Sequence, residues 1–276
     1  MQGHDPTFII AGAMKASTSA AAINLNRHED IYVVTPWWKK RVNEVKEIDT
    51  TGLVGGLGSE ASKELDFFNL KANTDLGIEF YRQYFPLARP HRGEASPNYF
   101  HVEEKQNAGC IERMKSMLNP ETKIIILLRD PIKRAFSHWN HIQRPDQDFG
   151  ARFKGKTFNE CTELMCSEKS KNSILNRSKY ADNLIAFRDA FGVENIYVGL
   201  QESIKKNQVA EYNKMYEFLG ASTVAEDPGY REVHEASYDV PLDEASRQFL
   251  QIYFAPDVKK VKEMYPDLDY SDWFTY

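Results

Sequence analysis

Two stretches of this chain carry side chains suited to gripping oxyanions. In the first, the apolar run Phe8-Ile9-Ile10-Ala11 leads into Gly12-Ala13-Met14-Lys15-Ala16-Ser17-Thr18-Ser19 and then Ala20-Ala21-Ala22. A strand that passes through a small-residue loop into a helix leaves the helix's first N–H groups unpaired at the loop, together with the positive end of the helix dipole. Lys15 and the hydroxyls of Ser17, Thr18 and Ser19 would complete the anion's shell, and Ala16 would let it approach the backbone. In the second stretch, Ile124-Ile125-Ile126-Leu127-Leu128 reads as a buried parallel strand that ends in Arg129-Asp130, with Pro131 opening a helix. Arg129 then stands at the strand's C-terminal edge, where open α/β sheets bind ligands and a guanidinium suits bidentate recognition of phosphate. Ser137, about two helical turns further on, adds a hydroxyl donor.

Taken singly, each stretch has a plainer reading: a solvated Lys15 at an ordinary helix start, and Arg129 in a surface ion pair with Asp130. The nucleotide-hydrolase pattern G-x-x-x-x-G-K-[ST] is absent, since Gly12 is the only glycine close before Lys15 and Ala16 follows it. A P-loop kinase and a non-catalytic nucleotide-binding module stay as alternatives of other classes.

Three further segments change the balance. They are Lys63-Glu64-Leu65-Asp66-Phe67-Phe68, Gly93-Glu94-Ala95-Ser96-Pro97-Asn98-Tyr99-Phe100 and Lys179-Tyr180-Ala181. With these in order between and after the anion loops, the chain resembles the sulfotransferases that use 3′-phosphoadenosine 5′-phosphosulfate, closest to the heparan sulfate type and its bacterial relatives. The resemblance is strong over about residues 6 to 200; beyond it lie a helical pattern and the terminal Leu268-Asp269-Tyr270-Ser271-Asp272-Trp273. It implies that Lys15, Ala16, Ser17, Thr18 and Ser19 hold the 5′-phosphosulfate, that Arg129 and Ser137 hold the 3′-phosphate, and that Tyr180 opens a helix at the donor site. It also implies that Glu64 faces the acceptor as general base, with Glu94 in reserve. His101, His138 and His141 are weaker candidates for that role.

An in-line sulfuryl transfer resembles phosphoryl transfer in its loose transition state, so position, charge and a base are what the protein must supply. Lys15 would meet the negative charge that grows on the departing phosphate. The donor would leave as adenosine 3′,5′-bisphosphate, and no metal is expected.

Departures from the family pattern bear on the acceptor. Ala95 stands where the family has a Lys near an anionic sugar, which disfavours a polyanionic glycan. A longer stretch at 35–62, with Trp37-Trp38-Lys39-Lys40-Arg41 and a glycine-rich run from Gly52 to Gly58, reads as a substrate lid. Trp37, Trp38, Glu94 and Asn98 are therefore expected at the acceptor. The expected acceptor is a small polar or cationic metabolite bearing a hydroxyl or an amine, such as an alkaloid toxin, with a carbohydrate or glycolipid as the alternative. Ser17 replaces the usual loop glycine, which is awkward wherever the backbone needs a positive φ. The late basic loop of the family is not recognisable, and Arg231 and His234 are candidates to replace it.

The 276 residues, 42% hydrophobic and 27% charged, suffice for one α/β core, and no long linker divides them. A net charge of −5 argues against a general nucleic-acid binder. The first apolar run is short, and no run of about 18 apolar residues occurs, so a cytoplasmic protein with no membrane partner is expected. Cys110, Cys161 and Cys166 have neither zinc-site spacing nor the number for a disulfide framework.

Strands are expected at Phe8–Ala11, Arg92–Ala95, Lys123–Leu128 and Asn195–Gly199. Helices are expected near Ser19–Arg27, Asp75–Tyr84, Glu104–Leu118, Pro131–Gln143, Thr157–Glu168 and Tyr180–Phe191, with Val209–Leu219, Asp243–Phe254 and Pro256–Met264 in a mostly helical part over 201–276. Alternation of this kind implies a parallel sheet, and the resemblance implies a single three-layer α/β domain of P-loop-like type, its central parallel sheet of about four to five strands flanked by helices.

Overall fold

The computed structural model describes residues 4–34, 64–85, 89–104, 107–144, 153–167, 174–231 and 242–276. Its centre is one sheet of five parallel strands: β1 (Phe8–Gly12), β2 (Ile31–Val33), β3 (His91–Ala95), β4 (Lys123–Leu128) and β5 (Ile196–Leu200), in the order β2-β3-β1-β4-β5. Every residue of β1 is buried, as are Ile124 to Leu128 of β4, which is why both read as continuous apolar runs without alternation.

Ten helices are described: α1 (Thr18–Leu25), α2 (Lys71–Thr74), α3 (Ile78–Arg82), α4 (Cys110–Met117), α5 (Pro131–Ile142), α6 (Phe158–Ser167), α7 (Ala181–Phe191), α8 (Gln201–Lys206), α9 (Gln208–Leu219) and α10 (Glu244–Met264). The strand order places a topological switch point at β1/β4. From β1 the chain proceeds to β2 and β3 on one side, then crosses to β4 and β5 on the other. Ligands of open α/β sheets bind beyond the strand ends at such a point. Here the two loops that leave it carry Lys15 and Arg129.

Several element boundaries differ from the sequence-based expectation. β2 is a three-residue strand that pattern alone did not single out; among the described residues it pairs with β3 at the sheet's edge. Of the helix expected over Asp75–Tyr84 only Ile78–Arg82 forms, starting after Gly77 at φ 87°, and a separate short helix, Lys71–Thr74, precedes it. The helix expected from Glu104 starts only at Cys110, after Gly109 at φ 73°. The two helices expected on either side of Pro256 are one. Leu250, Phe254, Val258 and Val261 keep a single buried stripe across exposed Pro256, so packing outweighs the lost backbone bond.

Gly12 has a steric reason to be glycine. A Cβ there would lie 2.3 Å from Cβ of Phe100 in the 3₁₀ turn Pro97–Phe100. That close approach seats the turn, and Asn98 within it, directly against the end of β1.

Candidate active site

The Lys15 loop has the backbone of an anion cradle. Lys15 at φ 71° and Ser17 at φ 68° both adopt the left-handed region, so the conformation for which the family's glycine is suited is present here with serine in its place. Ala13 and Ala16 are fully buried, leaving the loop's backbone as its outward surface. Ser17 is the N-cap of α1 but makes no side-chain capping bond, so the first-turn amides lack that competitor for an anion. Thr18 is buried and Ser19 exposed.

Arg129 follows the last residue of β4, and its Nη1 lies 3.4 Å from the carbonyl oxygen of Lys15. The two stretches expected to bind anions thus meet at one place in the fold. Ser137 is buried on α5, whose N-terminus is capped by Asp130 accepting from the amides of Ile132 and Lys133 at 2.9 Å each. Tyr180 lies behind the site: fully buried, it donates its hydroxyl to the Arg129 carbonyl at 2.8 Å, while Asp257 accepts from its amide. Tyr180 thus touches the Arg129 backbone. Asp130 also accepts from the Phe274 amide at 2.7 Å and the Tyr276 hydroxyl at 3.0 Å. The chain's last described residues therefore brace the strand end that bears Arg129.

Positive charge gathers here in a chain whose net charge is −5. Arg134 is fully buried on α5, its Nη1 reaching the Met14 carbonyl at 3.4 Å, and burial lowers it to about 10, with Arg177 and Arg129 adding to the depression. His138 is held well below the ordinary histidine range by burial and then by the fields of Arg134, Arg177 and Lys15. It is neutral at pH 7, and so is His101, which burial also depresses.

The second group of residues is built from the 64–69 segment and the 3₁₀ turn. Asn98 Nδ2 donates to Glu64 Oε2 at 3.4 Å and to Asp66 Oδ1 at 3.2 Å, so one amide spans two carboxylates. Asn98 Oδ1 accepts from Arg177 Nη1 at 3.2 Å, and the same nitrogen touches Met14 Sδ at 2.8 Å. Arg177 is itself paired through Nη2 with buried Glu104 at 2.5 Å. One guanidinium therefore connects the residue before Lys15 to the residue that holds Glu64. Asp66 is buried and raised by that burial, against hydrogen bonds from Asn98 and Asn69 and the charge of Arg177.

The sequence profile of the sulfotransferase domain matches residues 53–250, well over half of the chain. The chain belongs to the sulfotransferase family. The matched span holds Glu64, Arg129, Ser137 and Tyr180, whereas the Lys15–Ser19 loop lies outside it, well before its first residue. Human heparan sulfate glucosamine 3-O-sulfotransferase 5 is 28% identical over 167 residues, which cover 58% of this chain and 45% of that protein. The mouse bifunctional heparan sulfate N-deacetylase/N-sulfotransferase 1 is 24% identical over 230 residues, covering 80% of this chain and 23% of that protein. The chain thus spans less than half the length of these curated relatives. The solved sulfotransferase from Alicyclobacillus acidocaldarius shares the fold over 98% of this chain and 99% of its own, with a TM-score of 0.68 and 24% identity.

The expected site residues of this member of the family do not all come together. The Lys15 loop and Arg129 meet at the β1/β4 switch point, with Ser137 on the helix that follows Arg129, while Glu64 and Asn98 meet in a carboxylate cluster joined to the loop through Arg177. Glu94 does not face outward as a reserve base would: it is fully buried, with both oxygens accepting from hydroxyls. Lys63, His234 and the candidate lid at 35–62 with Trp37 and Trp38 lie outside the described residues. Arg231 is tied to α1 through its backbone, which donates to and accepts from the buried Asn24 side chain at 2.8 and 3.0 Å. Sequence reasoning missed Asp66, Glu104, Arg134 and Arg177 as site residues. For Asp66 the signal was present, two positions after Glu64; the Arg177–Glu104 pair, 73 residues apart, left none.

Among the described residues no helix is long and apolar enough to cross a membrane. Cys110 and Cys161 are buried free thiols.

Proposed function

We propose that the protein transfers a sulfuryl group from 3′-phosphoadenosine 5′-phosphosulfate to a hydroxyl or amine of a small polar or cationic metabolite. The observation that carries this reading is the meeting of the Lys15 loop and Arg129 at one place in the fold, with Glu64 one residue-to-residue contact chain away through Met14, Arg177 and Asn98. The Lys15–Ser19 loop takes the 5′-phosphosulfate, and Arg129 and Ser137 take the 3′-phosphate. Lys15 neutralises charge on the leaving phosphate, an interaction that strengthens as the bond to sulfur breaks. Glu64 accepts the acceptor's proton while Asn98 fixes its carboxylate. A hydroxyl next to Lys15, needed for metal-assisted transfer from a nucleoside triphosphate, is replaced by buried Ala16, which favours this reading over a kinase.

Two features support a small acceptor. Ala95, at the family's lysine position, is buried, so no cation is offered there to a polyanion. A cavity of about 290 Å³, lined by residues that include His101, Glu103, Arg177, Lys179 and Asp182, shares Arg177 with the Glu64 cluster. Its size is at the small end of ligand sites, and its mixed charge suits a polar or zwitterionic molecule. The heparan sulfate relatives favour a second reading, a carbohydrate acceptor. Incubating the enzyme with the donor and an extract of its native cells, then searching by mass spectrometry for addition of one SO₃, tests both. A sulfated small metabolite absent with Lys15→Ala supports the first reading; a sulfated glycan would replace it with the second.

A further inference from the structure

Glu94 takes no part in the transfer described above, yet its carboxylate stands at the hub of the segment that bears Glu64. Oε1 accepts from the hydroxyls of Tyr81 at 2.9 Å and Tyr99 at 2.7 Å, and Oε2 from Ser96 Oγ at 2.5 Å. Two of these hydroxyls accept in turn from the base-bearing segment: the Asp66 amide donates to Ser96 Oγ at 3.1 Å, and the Phe67 amide to Tyr99 OH at 2.9 Å. A hydroxyl has a single proton to give. Because an ionised carboxylate only accepts, it draws the Ser96 and Tyr99 protons toward itself and leaves their lone pairs facing the two amides.

Glu94, Ser96 and Tyr99 are all buried, so water does not compete for these bonds. The segment they hold is conformationally demanding: Asp66 has φ 47°, a region that a residue with a Cβ keeps only where its surroundings fix it. Its amide is held by Ser96 and its carboxylate by Asn98, from the same strand-to-turn connection that follows Glu94.

We propose that Glu94 is a positioning residue whose buried carboxylate sets the hydrogen-bond direction of Ser96 and Tyr99 and so fixes the 64–67 segment with Glu64 against Asn98. The catalytic consequence rests on the reading of Glu64 as base. The mechanical part does not depend on it. Glu94→Gln keeps the shape but replaces one acceptor by an NH₂ donor, which must turn at least one hydroxyl around.

The test is hydrogen exchange followed by mass spectrometry at pH 8, where the carboxylate is ionised. In Glu94→Gln the amides of 64–68 are expected to exchange at least about tenfold faster, with β1 and β4 unchanged. Tyr81→Phe, which removes a donor that serves neither amide, should alter them less than about twofold. Affinity for adenosine 3′,5′-bisphosphate should stay within about twofold.

Wild-type protection of 64–68 in Glu94→Gln would overturn the proposal, as would acceleration shared equally by the strands. If Glu94→Gln fails to fold, Ser96→Ala serves as the second variant, and unchanged exchange at Asp66 there would likewise overturn it. Normal turnover in Glu64→Gln alongside the expected exchange pattern would sink the base assignment and leave the positioning role standing.

Discussion

The Arg129 guanidinium reaches the Lys15 carbonyl at 3.4 Å, joining two loops whose residues are 114 positions apart. Neither loop alone is diagnostic, but their contact at the β1/β4 switch point brings together the two places where the proposed donor would have its two phosphate ends held.

Different losses are expected from the two cations. Charge-assisted bonds of a guanidinium are worth about 1.5–3 kcal/mol each, so Arg129→Ala should weaken adenosine 3′,5′-bisphosphate by about tenfold to a hundredfold in calorimetric titration. Lys15→Ala should lower kcat by at least about 10²-fold with a smaller change in that affinity, because its interaction grows in the transition state.

Glu64→Gln should lower kcat by at least about 10²-fold. Asp66 shares Asn98 with Glu64. Asp66→Asn should therefore lower kcat less than Glu64→Gln does, and an equal fall in steady-state kinetics would make Asp66 part of the base.

The Arg177–Glu104 pair is buried on both sides, with side-chain exposures of 8% and 3%. Arg177→Met would leave Glu104 charged and unpaired, costing about 3–5 kcal/mol. Melting should fall by roughly 10 °C, at about 2–4 °C per kcal/mol for a chain of this size. The double variant Arg177→Met/Glu104→Gln should recover part of that stability but little activity, since Asn98 loses its partner in either case.

Burial pushes Glu94 up to about 7 from its ordinary 4.5, against the hydroxyls of Ser96, Tyr99 and Tyr81. Between those two values the folded protein holds a proton that the unfolded chain has released, so stability falls as pH rises from about 4.5 to about 7 and is flat above. The stabilising difference is complete below the first value and gone beyond the second. Denaturant titrations across this window should show the slope in the wild type and a flatter profile in Glu94→Gln.

What sequence could disclose follows from where each signal lives. Phe8–Gly12 and Lys123–Leu128 were legible because strands buried on both faces read as unbroken apolar runs. Lys15, Arg129 and Glu64 were legible because their segments keep family order. The three-residue β2, the helix start after Gly77 and the continuity through Pro256 were not, since each is decided by tertiary packing. Serine at position 17 looked like a liability, yet the loop adopts φ 68° there regardless. Glu94 is expected from sequence as a reserve base, whereas hydroxyls from Tyr81, Ser96 and Tyr99 close around it; that enclosure depends on residues brought together by α3, β3 and the following turn.

The most direct test of a two-ended donor cleft is thermal melting with adenosine 3′,5′-bisphosphate against ATP, both without Mg²⁺ and with it. Ligand at a hundred times its Kd adds about 2.7 kcal/mol, which is about 5–10 °C here. The bisphosphate should give a shift of that size without metal, lost in Arg129→Ala, and ATP a much smaller one. A larger, Mg²⁺-dependent shift with ATP, or no shift with the bisphosphate, would contradict it.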